Sequence, residues 1–131
     1  MNENGQYEYM YLDHYFTEEG RHPFFIRVDG MLAGFALIRE IGTNENNDII
    51  YSLAEFFVMK KYRRQGVGQH AAVEVFDLFC GEWKVAQIAA NKPAQIFWRK
   101  TIESYTKSNY QEITEEDWAG PIQTFSSRRL K

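Results

Sequence analysis

Between Pro23 and Met59 the apolar residues come in unbroken or alternating runs that suit strands, and beyond Val67 they recur every three or four residues. PFFIRV, closing in Val28, Asp29 and Gly30, reads as a strand entering a tight hairpin, because Asp-Gly adopts positive φ at little cost. MLAGFALIREI, from Met31, is its partner. The polar GTNENND of 42–48 is a loop, and IIYSLAEFFVM is a long strand ending near Met59. Ala72, Val75, Phe76 and Phe79 fall at helical spacing in a helix that starts near Val67, and Gly81 lies where a stop is expected. KVAQIAA is short and nearly all apolar, the kind of strand buried on both faces of a sheet. Asn91 and Pro93 open a second helix whose inner face is Ala94, Phe97, Trp98, Ile102 and Tyr105; proline suits a first turn, where its missing N–H costs nothing. Strands around NYQEI and PIQTF follow, and the basic tail over 126–131 is expected to fray. Ahead of the hairpin, Tyr7 to Phe16 is dense in aromatics and fits a strand or a short helix packed on the sheet. Hairpin, long strand, helix, strand, helix, strand describes one α/β domain over residues 1–131 with a mixed sheet.

Composition adds exclusions. A chain of 131 residues, 44% hydrophobic and 16% aromatic, suits a single core. A net charge of −3 argues against nucleic acid as a partner. MLAGFALI, the longest apolar run at 8 residues, is too short to cross a bilayer, so no membrane partner is expected. The start, MNENGQYEY, carries neither the basic nor the apolar segment of an export signal. Cys80 is the single cysteine and cannot form an internal disulfide, which points to a reducing cytoplasm. It reads as a small buried filler. His14, His22 and His70 lack metal spacing, so no metal site is expected.

Chemistry concentrates at RRQGVGQ, between the long strand and the first helix. Amides at a helix start lack intrahelical partners, and the helix dipole makes that end partly positive. Glycines there let a phosphate approach without meeting a Cβ, and Arg63 and Arg64 add donors shaped for phosphate. No GxxxxGK[ST] and no GxGxxG is present, so neither an ATP or GTP loop nor a dinucleotide turn fits. An ordinary strand–helix turn with solvated arginines would carry the same letters.

Arg63-x-x-Gly66-x-Gly68, after a strand ending in Phe57-Val58 and before a helix, resembles the acetyl-CoA signature of the GNAT superfamily of N-acetyltransferases. A second block, Asn91-x-x-Ala94-x-x-Phe97-Trp98, is similar to the stretch that flanks the CoA arm in that family. The resemblance spans roughly Phe24 to Ile113 and implies the acyl-CoA N-acyltransferase fold, a mixed central sheet with flanking helices, and acetyl-CoA as co-substrate. It further implies that the strand before the loop splays from its neighbour and pairs with the pantetheine. By position, Phe56, Phe57 and Val58 would meet the pantetheine and acetyl region. Arg64, Gln65, Gly66, Val67, Gly68 and Gln69 would wrap the pyrophosphate, with Arg63 at the leading place of the cofactor-binding signature, and Asn91, Phe97 and Trp98 would flank the arm. Trp98 stands where many members carry the tyrosine that protonates the departing thiolate, and an indole N–H is no usable acid. Tyr105, two helical turns on, or solvent would have to serve. The family usually places a first strand and helices before the hairpin, but only 22 residues precede Pro23 here. The first strand and helices are therefore expected to be reduced, 1–22 is an atypical segment, and a homodimer is expected to cover a tyrosine-rich edge.

Amine acetylation needs a base for the ammonium and a donor for the thioester carbonyl. Glu55, flanked by Ala54 and Phe56, is the candidate base, with apolar neighbours expected to raise its pKa; an outward-facing or Arg39-paired carboxylate is the plainer alternative. The carbonyl donor would be the backbone N–H near Val58. The leading expectation is an N-acetyltransferase moving acetyl from acetyl-CoA to a primary amine of a small molecule or protein, by direct attack in a ternary complex. The alternatives are a CoA-binding module with little catalysis and a structural or interaction domain.

Overall fold

The Asp29-Gly30 turn folds as its letters require, with both residues at positive φ, 53° and 84°. It joins β2 (Arg21–Val28) to β3 (Met31–Thr43) in the computed structural model of the chain, which describes residues 10–15, 19–63 and 66–127. Before them lies β1 (Met10–His14), a strand and not a helix, and after them β4 (Ile49–Val58). A 3-10 turn, Lys60–Tyr62, leads to α1 (Val67–Leu78), β5 (Glu82–Ala86), α2 (Lys92–Thr106), β6 (Gln111–Glu115) and β7 (Trp118–Ser126). Among the described residues seven strands form one sheet, in the order β1-β2-β3-β4-β5-β7-β6. Of these, β4 and β5 pair in parallel, because α1 carries the chain back between them.

One sheet face is covered by α1 and α2. Phe24, Ile38, Tyr51, Trp83 and Phe125 from the strands pack on Val75 and Phe76 of α1 and on Trp98 and Ile102 of α2. The Trp83 ring stacks on Tyr51 at 5.2 Å and takes Phe76 edge-on at 5.0 Å, and Trp83 and Phe76 are fully buried. A smaller cluster of Met10, Ile26, Val28, Tyr62, Val67 and Ala71 closes the core under the start of α1. The inner stripe of α2 differs from its apolar pattern. Gln95 and Thr101 are buried with Trp98 and Ile102, while Ala94, Phe97 and Tyr105 are half-buried. Cys80 is exposed, contrary to the expectation of a buried filler. The chain leaves α1 extended at Phe79, whose carbonyl accepts from Trp83 Nε1, and this turns the next side chain outward.

A polar chain ties α2 to the β7–β6 edge. Arg99 donates from Nε and Nη2 to the two Glu112 oxygens at 2.8 Å each, and Gln123 Nε2 donates to Glu112 at 2.9 Å. The Arg99 guanidinium first, and then the Gln123 amide, hold the Glu112 carboxyl below its usual range against the opposing effect of burial. A depressed folded pKa gives stability that is present above the ordinary carboxylate range and lost as pH falls toward the folded value. Arg99→Ala should therefore shrink the difference in denaturant midpoint between about pH 7 and about pH 3.

Candidate functional site

The sheet opens where β4 and β5 part. Their ladder holds for Ile50↔Glu82, Tyr51↔Trp83 and Ser52↔Lys84, and then ends. Two residues further on, β4 bulges. Its pairing with β3 steps from Ile38↔Leu53 to Leu37↔Glu55, leaving Ala54 without a partner. A bulge bends the strand and increases its twist, so β4 follows β3 away from β5. Meanwhile β5 stays with β7, pairing out to Ala86↔Ile122 and extended by Gln87 N–H to the Pro121 carbonyl at 3.1 Å. Beyond Ser52 and Lys84 the two strands are therefore unpaired and leave a cleft between them, the splay that the resemblance implies.

The backbone of β4 along this cleft is oriented. Met59 N–H donates to the Ala33 carbonyl at 2.7 Å, and the Phe57 carbonyl abuts Gly34 of β3. Alternation then turns the peptide groups of Phe56 and Val58 toward the cleft. The Val58 carbonyl is reached by Arg63 Nε at 2.8 Å, and the Arg63 guanidinium lies 5.7 Å over the Phe57 ring. Arg63 is thus folded back onto the end of β4 at the mouth of the cleft.

Above that mouth α1 begins. Gly66 is its N-cap, left-handed at φ 80°, and supplies no side-chain cap. A Cβ on Gly66 would meet nothing within 4 Å, and the amides of Val67, Gly68 and Gln69 have no acceptor inside the helix. No carboxylate stands in the first turn to neutralise the dipole. A Cβ on Gly68 would come within 3.3 Å of Phe97 and 3.5 Å of Val58, so this glycine brings β4, α1 and α2 together. These features fit an anionic phosphate group. Arg64 and Gln65, also expected at the loop, lie outside the described residues.

The aromatic floor comes from α2. Phe56 stacks on Phe97 at 6.2 Å and takes Trp98 edge-on at 5.0 Å. Trp98 is 7% exposed and belongs to the core as well as to the floor. Asn91 caps α2 through Oδ1, which accepts from Ala94 N–H at 3.2 Å. Tyr105 is not brought to the cleft. Its hydroxyl donates to Asp77 Oδ1 at 2.7 Å, in the last turn of α1, and its ring packs on Phe76 and Phe125. That corrects its expected place near the leaving thiolate: α2 runs away from the cleft, and two turns carry the hydroxyl about 10 Å down the helix. Tyr105→Phe should leave turnover within about twofold of wild type and lower stability by roughly 1 kcal/mol, the ordinary worth of one hydrogen bond; initial rates and a melt check both.

Glu55 is exposed on the face opposite the helices, opposite Leu37 in register, and not among apolar side chains as its neighbours in sequence suggested. The bulge at Ala54 explains this, because one extra residue reverses which side chains face the core. Among the described residues Glu55 has no ion pair, to Arg39 or otherwise. Six residues, 15–20, join β1 to β2 where the resemblance places helices, and among the described residues no helix covers this face.

Two contributors escaped the sequence reading. Gln95 Nε2 donates to the carbonyls of Ile88 and Ala89, both at 3.0 Å, and so fixes the chain where β5 leaves the cleft. A polar residue on an otherwise apolar helical stripe was its signal. Gly34 lets the β4 backbone close on β3, and a glycine inside a strand marks such an approach.

Among the described residues no group of three or more His, Cys, Asp or Glu could hold a metal ion, and no helix is long and apolar enough to cross a membrane. Comparison with curated protein sequences finds no match. Solved structures share the fold. The ribosomal-protein-S18-alanine N-acetyltransferase of Escherichia coli matches with a TM-score of 0.61 at 16% identity, over 88% of this chain and 74% of that one. A Bacillus subtilis acetyltransferase in complex with CoA matches with a TM-score of 0.61 at 6% identity, over 88% and 96%. An acetyltransferase from Thermus thermophilus gives 0.60 at 15% identity; the match covers 84% of this chain and 66% of that one, slightly under two thirds. The family model for the acetyltransferase (GNAT) family matches residues 2–103, well over half of the sequence. By that match the chain belongs to the acetyltransferase (GNAT) family.

Proposed function

We propose that the protein is an N-acetyltransferase that moves the acetyl group of acetyl-CoA, the co-substrate of its family, to a primary amine by direct attack in a ternary complex. The observation that carries the reading is the cleft between β4 and β5 with the uncapped start of α1 at its mouth. The amides of Val67, Gly68 and Gln69 would hold the pyrophosphate, with Arg64 and Gln65 beside them and the Arg63 guanidinium nearby. The peptide groups of Phe56 and Val58 would pair with the pantetheine as a neighbouring strand does. Phe97 and Trp98 support that segment from below, and Asn91 fixes the start of α2. Bound acetyl-CoA supplies a thioester. Val58 N–H, turned to the cleft, donates to its carbonyl oxygen. Glu55 takes the proton of the incoming ammonium, directly or through one water. With Tyr105 at Asp77 and an indole at position 98, the thiolate takes its proton from water.

The acceptor is a small-molecule or protein amine. We also infer self-association into a homodimer through the outer side of β1 (Met10–His14), an edge of the sheet, which light scattering would reveal. A reducing cytoplasm suits an exposed single thiol, and a net charge of −3 does not suit nucleic acid. A second reading, a CoA-binding module with little catalysis, draws on Trp98 and on the open face opposite the helices. Amine-dependent thiol release from acetyl-CoA separates them. Release that rises with amine supports transfer, and CoA binding with no release at any amine supports the module.

A further inference from the structure

The face opposite the helices carries a row of aromatic rings that leads to the cleft. Tyr15 meets Phe25 edge-on at 5.0 Å, Phe25 meets Phe35 at 5.8 Å, and Phe35 stands opposite Phe57 in the β3–β4 register. Over this row lies a cavity of about 380 Å³ bounded by Phe25, Phe35, Phe57, Leu32 and Met59, with Gly34 as floor and the charged Lys60 at its rim. Phe57 is 52% exposed and Leu32 45%, an apolar patch of the kind that marks a binding surface. Glu55 projects from the same face two residues along β4 from Phe57, about 7 Å at the strand rise, and has no ion-pair partner among the described residues.

We propose that the acceptor is a primary monoamine on an apolar aryl or alkyl body, with its ammonium at Glu55 and its body on Phe57 and Phe35 under Leu32 and Met59. This rests on the transferase reading above. Charge selects the occupant. A carboxylate stands on one side of Phe57, two residues back along β4, and cations stand on the other, Lys60 at the cavity and Arg63 over the Phe57 ring. An ammonium at Glu55 is paired and the apolar body leaves water for the rings. A polyamine stretched along the same line would bring its second ammonium against Lys60 and Arg63, which repel it. The nearly all-apolar lining also offers no partners to the hydroxyls of an aminosugar.

The test uses the full chain with acetyl-CoA held constant and 2-phenylethylamine, hexylamine, spermidine and lysine as acceptors. Thiol release gives kcat/KM, and proton line broadening of 2-phenylethylamine in the presence of CoA reports binding without turnover. The two apolar amines should exceed spermidine and lysine by at least about tenfold in kcat/KM, the discrimination an apolar pocket supplies. Leu32→Asp, at an exposed position, should lower kcat/KM for 2-phenylethylamine about tenfold and weaken its line broadening with CoA affinity unchanged. Lys60→Glu should narrow the gap by raising the spermidine rate. Preference for spermidine or lysine, acetylation confined to a peptide N-terminus, or a silent Leu32→Asp would overturn the acceptor assignment while leaving the transferase intact. Calorimetry on the same samples separates the two layers, because a chain that binds no CoA overturns the transferase reading itself.

Discussion

Glu55→Gln is expected to lower kcat by about a hundredfold or more, the usual worth of a positioned general base, with CoA affinity unchanged. The amide keeps the size of the side chain and loses its proton affinity. Glu55 is exposed, stands where the bulge turns it to the open face, and has no ion-pair partner among the described residues, so its replacement disturbs no internal contact. The loss should lessen as pH rises and free amine becomes abundant, because the base then has less to do. Rates measured across pH with the variant and wild type check both points. Equal rates at every pH would remove Glu55 from the chemistry and leave deprotonation of the amine to another group or to water.

Gly66→Val should weaken CoA binding by roughly a hundredfold, about 3 kcal/mol, because charge-assisted amide bonds to the pyrophosphate are lost. Two effects act together. At φ 80° a β-branched residue is strained by about 1–2 kcal/mol, and it relaxes by shifting the amides that follow it. Its side chain also enters the empty space beside Gly66, at the helix start where a phosphate would approach. Gly66→Asn is the control, since asparagine tolerates the left-handed region. It should retain the fold and lose less affinity than valine. Titration and melting of both variants separate strain from obstruction, and a valine variant that binds CoA as wild type does would rule out the loop as the phosphate site.

Much of the fold was legible because local signals agreed with the tertiary result. Asp29-Gly30 set the hairpin, Asn91 and Pro93 set the start of α2, and the GxG after a strand set the start of α1. What escaped depends on neighbours far along the chain. The bulge at Ala54 arises from the register with β3, and no residue in LAEFFVM announces it. Since a bulge reverses the facing of everything beyond it, the exposure of Glu55 was hidden for the same reason. Tyr105 lay on the expected face of α2, but its partner Asp77 is on another helix, 28 residues away in sequence. The aromatic face opposite the helices was illegible for a third reason. Alternation shows that Phe25, Phe35 and Phe57 share one side, but only the sheet shows that no helix among the described residues covers them.

Acyl-CoA held by its pyrophosphate, between the cleft and the uncapped helix start, would owe most of its affinity to the phosphates, and this dependence is measurable. Parallel calorimetric titrations with acetyl-CoA and with acetyl-pantetheine, which keeps the thioester arm and lacks the phosphates, test it most directly. Binding of acetyl-CoA should be micromolar and that of acetyl-pantetheine at least about a hundredfold weaker. Equal affinity for the two, or no heat with acetyl-CoA, would contradict it.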